Sequence, residues 1–88
     1  MPWLRERDVA LVGSDLAMDV MPSRVEGFFL PVHFVTIVAM GVPILDVCDL
    51  EPVSKAAAAR KRWDFLLTIA PLAVEGGTGS PVNAIATF

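Results

Sequence analysis

The chain has 88 residues, 55 % of them hydrophobic, with seven Lys and Arg against ten Asp and Glu for a net charge of −3. That apolar content excludes a disordered chain, and the acidic balance leaves no basic footprint for a phosphate backbone, so nucleic acid is not an expected partner. A chain this short forms one small domain at most and hides only about 60–65 % of its extended surface, so so much apolar sequence implies faces that want a partner.

In chain order, residues 3–8 (Trp-Leu-Arg-Glu-Arg-Asp) read as the tail of a charged helix, with no apolar core of signal-peptide length. Residues 9–12 form a short apolar run closed by Gly13, the pattern of a buried strand. Residues 14–27 read as a loop carrying Pro22, Ser23 and Gly27, with Met18, Val20 and Met21 as apolar anchors. Pro31 opens a helix over 31–40 that stops at Gly41 and is apolar almost all round, which places it in a core or an interface. Residues 43–47 predict a second short strand. Asp49 is placed to cap the next helix, with Pro52 in its first turn and the alanines of 56–59 in its body, over 54–62. Residues 63–74 are the longest strand candidate, limited by Pro71. A sharp loop at 76–81 and a last strand over 82–88 complete an α/β or α+β order.

Three features need a physical reading of their own. The run 28–45 is free of Asp, Glu, Lys and Arg and is nearly the roughly 20 residues a bilayer requires, but Pro31 and Gly41 bound a helix too short to cross, so no membrane is expected. Cys48, the single cysteine, excludes an intrachain disulfide and fits a reducing, cytoplasmic compartment; set among Leu45, Val47 and Leu50 it reads as an inert packing thiol. Arg60, Lys61 and Arg62 follow the alanine run and read as a solvated helix end, where cations complement the helix dipole.

The residues that can carry chemistry are few. His33 is the only histidine, and an imidazole on an apolar helix needs a hydrogen-bond partner or a metal. Asp46, between Leu45 and Val47, is costly on a strand unless paired or bound to a cation. One imidazole and one carboxylate in apolar surroundings are half of a transition-metal site. Asp15, Asp19 and Glu26 serve either as outer partners of such a site or as loop charges, and Asp19 and Glu26 read as solvated charges. The Gly76-Gly77-Thr78-Gly79-Ser80 stretch has the small residues of an anion-cradling loop, but it lacks the Gly-Lys-Ser/Thr ending and a following helix, so a tight turn needing positive φ is the simpler reading.

An ordered series runs through these elements: Val12-Gly13-Ser14-Asp15, Pro22-Ser23, Pro31-Val32-His33, Gly41-Val42-Pro43-Ile44-Leu45-Asp46 with Asp49-Leu50-Glu51, Ala70-Pro71-Leu72, and Gly76-Gly77-Thr78-Gly79-Ser80-Pro81-Val82-Asn83 with Ile85-Ala86. It resembles the C-terminal half of the cyclase family, which includes the kynurenine formamidases (arylformamidases of tryptophan catabolism), and it covers nearly the whole chain. The resemblance implies a swivelling β/β/α fold, of which residues 1–88 are the C-terminal portion of a single hydrolase domain. It implies a homodimer, one or two divalent cations (zinc or manganese), and hydrolysis of a small-molecule amide of the N-formylkynurenine type, or a lactone, by metal-activated water. His33 and Asp46, thirteen residues further on, fall on the family's later ligand pair, with aspartate in place of the usual glutamate. The family's remaining ligands lie on an upstream His-x-x-x-His-x-Asp motif with a further proton-shuttling histidine. Those residues are not in this chain, which by itself is expected to be inactive. The alternative expectation is a non-catalytic α/β structural or dimerisation remnant in which His33 is a core histidine.

Overall fold

The computed structural model describes residues 1–88 and divides into two units, Met1–Leu50 and Glu51–Phe88. Helices and strands are mixed, and the strands form two separate two-stranded sheets, an α+β arrangement.

In the first unit, α1 (Pro2–Glu6) begins with proline at the position where a missing N–H costs nothing. It ends as the chain turns through Asp8 at φ 50°, and the Val9 N–H closes back on the Leu4 carbonyl at 3.2 Å. β1 (Val12–Gly13) pairs in parallel with β2 (Ile44–Leu45), Val12 opposite Ile44 and Gly13 opposite Leu45. The ladder continues past both strands, with the Ser14 N–H on the Leu45 carbonyl at 3.0 Å and the Cys48 N–H on the Ser14 carbonyl at 2.8 Å. Parallel neighbours need a long crossover, and residues 14–43 supply it as an irregular loop followed by a helix.

That helix changes pitch. α2 (Pro31–His33) passes directly into a π-helical segment, Phe34–Ala39. The Phe34 N–H still reaches the Leu30 carbonyl four residues back, whereas the Met40 N–H reaches Val35, five back. Between them the Thr36 hydroxyl donates to the Val32 carbonyl at 2.6 Å, occupying the acceptor that an α-helical ladder would use. Thr36 is completely buried, and its own carbonyl accepts the N–H of Val42, itself 6 % exposed. The pair ties the helix to the start of β2.

The second unit opens with α3 (Glu51–Arg60), which buries Ala57. It closes with Lys61 at φ 52°, the left-handed position that glycine usually takes, and the Arg62 N–H on the Ala57 carbonyl at 3.1 Å. β3 (Leu66–Thr68) and β4 (Ile85–Thr87) pair antiparallel, Leu67 opposite Ala86. The Phe65 and Phe88 rings meet at 5.3 Å beside them, with the Arg60 guanidinium 5.2 Å from the Phe88 ring. Between the strands, Gly76 at φ 70° makes the tight turn that returns the Gly77 N–H to the Val74 carbonyl, and the Leu72 N–H is held by the Ser80 hydroxyl at 3.0 Å. The glycine-rich stretch is thus a turn.

Several expected elements are shorter than their sequence pattern. The strand expected over 63–74 pairs only at Leu66–Thr68, and that over 82–88 only at Ile85–Thr87, because each is the other's sole partner and the register closes after three residues. The strand expected over 9–12 pairs only at Val12 and runs on to Gly13, and that over 43–47 pairs only at Ile44–Leu45, for the same reason. The run 28–45 is helical only to Ala39, and no helix is long and apolar enough to cross a membrane.

Candidate functional site

The first unit gathers His33, Asp19 and Asp46 into one cluster. Pro31 starts α2 without an N–H, and the preceding residue, Leu30, has no side-chain acceptor to offer, so the N–H groups of Val32 and His33 lack a local cap. Asp19 supplies it from the crossover loop. Its Oδ1 accepts the Val32 N–H at 2.7 Å and its Oδ2 the His33 N–H at 3.0 Å. The same Oδ2 lies 2.6 Å from His33 Nδ1. A carboxylate at a helix N-terminus, with three donors on it, is well placed to remain ionised in a buried position.

On the other side of the ring, His33 Nε2 lies 2.8 Å from Asp46 Oδ2. Asp46 leaves β2 at its C-terminal end, and its Oδ1 accepts the Met18 N–H at 3.2 Å, so the loop that carries Asp19 is pinned to both carboxylates. The residue after Asp46 is strained: Val47 sits at φ 57°, where a β-branched side chain is disfavoured, and it is 72 % exposed. That turn aims Asp46 at the ring and sends the Cys48 N–H to Ser14. Cys48 is half-buried, its Sγ 3.4 Å from the Leu45 carbonyl.

The imidazole therefore bridges two carboxylates, and the electrostatics follow. The hydrogen bond to Asp19 raises the His33 pKa above its ordinary value, partial burial opposes this, and the charges of Asp46 and Asp19 add to the rise. Burial pushes the Asp19 carboxyl up, but the Val32 N–H, the His33 ring and the His33 N–H together hold it below the usual carboxylate value. Both ring nitrogens thus face carboxylate oxygens, an arrangement that favours the protonated ring over the neutral one.

His33 and Asp46, the two expected ligands, are thus side by side. Asp19, expected as a solvated loop charge, is instead one of the few buried residues, 7 % exposed, while Asp15 and Glu26 are exposed. The overlooked signal was local: a helix opened by proline with leucine before it needs an acceptor from elsewhere.

The donor set fits a zinc- or manganese-type ion in part. Asp19 on Nδ1 is the carboxylate that a metal-bound histidine commonly carries behind it, fixing the tautomer and the ring plane. Nε2 and Asp46 Oδ2 are separated by 2.8 Å, a direct hydrogen-bond contact; two adjacent tetrahedral ligands with metal bonds of about 2.0–2.2 Å stand roughly 3.4 Å apart, so the pair would have to open by about half an ångström to admit an ion. Asp19 occupies the opposite edge of the ring and cannot share an ion with Asp46, so the chain contributes two donors, and no group of three or more His, Cys, Asp or Glu able to hold a metal occurs. No family model, curated protein or solved structure matches the chain.

Proposed function

We propose that the chain is the C-terminal portion of a metal-dependent hydrolase of the cyclase family, arylformamidase-like, acting on a small amide or lactone. Two things support the reading: the ordered motif series and, above all, the Asp19–His33–Asp46 relay. A divalent zinc or manganese ion would supply the Lewis acidity that such hydrolysis requires. His33 Nε2 and Asp46 Oδ2 would hold that ion, and Asp19 would keep the ring oriented from Nδ1. The rest of the ligand set would come from the His-x-x-x-His-x-Asp segment that the resembled family carries ahead of this stretch, within a swivelling β/β/α domain.

The same geometry favours one rival. With both ring nitrogens satisfied by carboxylates, His33 also suffices as a structural imidazolium in a non-catalytic remnant. Calorimetric titration of the chain with zinc separates the two. The metal reading predicts binding that releases a proton and disappears in both His33→Ala and Asp46→Ala. Equal heats from the wild type and the two variants would leave the structural reading in possession.

Asp19 has its own test. Asp19→Asn is expected to weaken zinc binding about 10–100-fold without removing a ligand, as loss of an outer carboxylate does elsewhere. An unchanged affinity would show that Asp19 serves the helix alone.

A further inference from the structure

Thr36 stands, completely buried, between the helix that carries His33 and the strand that leads to Asp46. Its hydroxyl donates to the Val32 carbonyl at 2.6 Å and comes within 3.5 Å of the His33 carbonyl, while its own carbonyl accepts the Val42 N–H at 2.8 Å. Val42 lies two residues ahead of β2, and Asp46 directly follows that strand. We propose that Thr36 is a positioning residue: through the pitch of the helix, its hydroxyl sets the separation between His33 Nε2 and Asp46 Oδ2.

The hydrogen-bond ladder carries the link. In an α-helix the Met40 N–H would take the Thr36 carbonyl, four residues back, and the Val42 N–H would have to compete for it. Here the Met40 N–H passes over Thr36 to the Val35 carbonyl at 3.0 Å, which leaves the Thr36 carbonyl to Val42. The buried hydroxyl has no water to turn to, so it takes the Val32 carbonyl, the acceptor that an α-helical Thr36 N–H would use, and this favours the longer pitch. Without the hydroxyl that carbonyl rejoins the ladder, Met40 recovers Thr36, and Val42 is displaced. Recovering an α-helical turn moves the chain beyond Val35 by one residue, roughly 1.5 Å along the axis. The 2.8 Å contact between Nε2 and Oδ2 does not survive a shift of that size. Asp19 is independent of it, because its bonds to the Val32 N–H, the His33 N–H and His33 Nδ1 all lie in the first turn of the helix, ahead of Thr36.

What Thr36 does for a metal rests on the reading above, but the separation itself does not, so the first experiment uses the 88-residue chain in EDTA. Nitrogen-edited NMR of the single histidine, at mildly acidic pH, should show both ring N–H protons slowed in exchange in the wild type and in Thr36→Ser, which keeps the hydroxyl. In Thr36→Val the Nε2 proton should be lost to fast exchange while the Nδ1 proton toward Asp19 stays. Both protons retained in Thr36→Val would overturn the proposal. So would loss of both, which would make the hydroxyl a support of the whole unit rather than of the separation. Calorimetry then reads the metal: zinc should bind about 10-fold or more weakly to Thr36→Val and with near wild-type affinity to Thr36→Ser. An unchanged affinity in Thr36→Val would again overturn the proposal. A wild type that binds no zinc would remove the metal reading instead, and the metal-free spectra would still decide the role of Thr36.

Discussion

At the scale of single residues, His33 and Asp19 set the pH window of the first unit. The His33 pKa is raised above 6.5 in the folded state, so its contribution is fully present below 6.5 and is lost as pH rises through the folded value. The Asp19 pKa is lowered from 3.8, so its contribution is present above 3.8 and is lost as pH falls through the folded value. Urea midpoints followed against pH should therefore be highest between about 4 and 6.5 and decline on the alkaline side, and His33→Gln should abolish that alkaline decline. Val47 supplies a second residue-scale test. Its left-handed backbone costs about 1–2 kcal/mol for a side chain with a Cβ, and its exposed side chain buries little, so Val47→Gly should stabilise by about 0.5–1 kcal/mol in the same assay. Of these residues, His33 and Asp46 are legible in the sequence, since each is a polar group stranded in an apolar run. Asp19 and Val47 are not: burial of one and strain at the other arise from where the crossover loop lands.

At the scale of elements, the helix over 31–39 shows what pattern can and cannot fix. Pro31 and Gly41 bracket it correctly from composition alone, but its pitch is decided by Thr36, whose hydroxyl takes the Val32 carbonyl and lets the ladder lengthen. Thr36→Val keeps the β-branch and removes that hydrogen bond, leaving the buried site without its polar partner. The expected cost is about 1 kcal/mol in denaturant unfolding, and no cost would show that the π-helical turns do not depend on the hydroxyl. The strands were overextended for a related reason. Apolar residues from Trp63 to Val74 look like one long strand, yet a strand is only as long as the partner that pairs with it, and Ile85–Thr87 offers three residues.

At the scale of the molecule, the apolar excess visible in the composition reappears as exposed surface. Only Val42 and Ala57 among the apolar side chains are buried, while Phe29, Trp3, Trp63, Leu66 and Leu72 each remain at least 60 % exposed. A hydrophobic sequence without a matching core is the physical sign of faces that partners cover. The expected α/β order of helices and strands survives in the mixed architecture. The cluster that the sequence could only half assemble is completed by the fold, which adds a buried carboxylate to the stranded histidine and aspartate.

The central claim is that His33 is oriented through Nδ1 by Asp19 so that Nε2 and Asp46 can hold a divalent metal. It is tested most directly by long-range nitrogen–proton NMR of the single histidine, recorded near neutral pH with and without zinc. The account predicts an imidazolium with both nitrogens protonated in the absence of zinc, and with zinc the loss of the Nε2 proton alone, Nδ1 remaining protonated toward Asp19. A spectrum that zinc leaves unchanged, or one in which Nδ1 takes the metal, would contradict it.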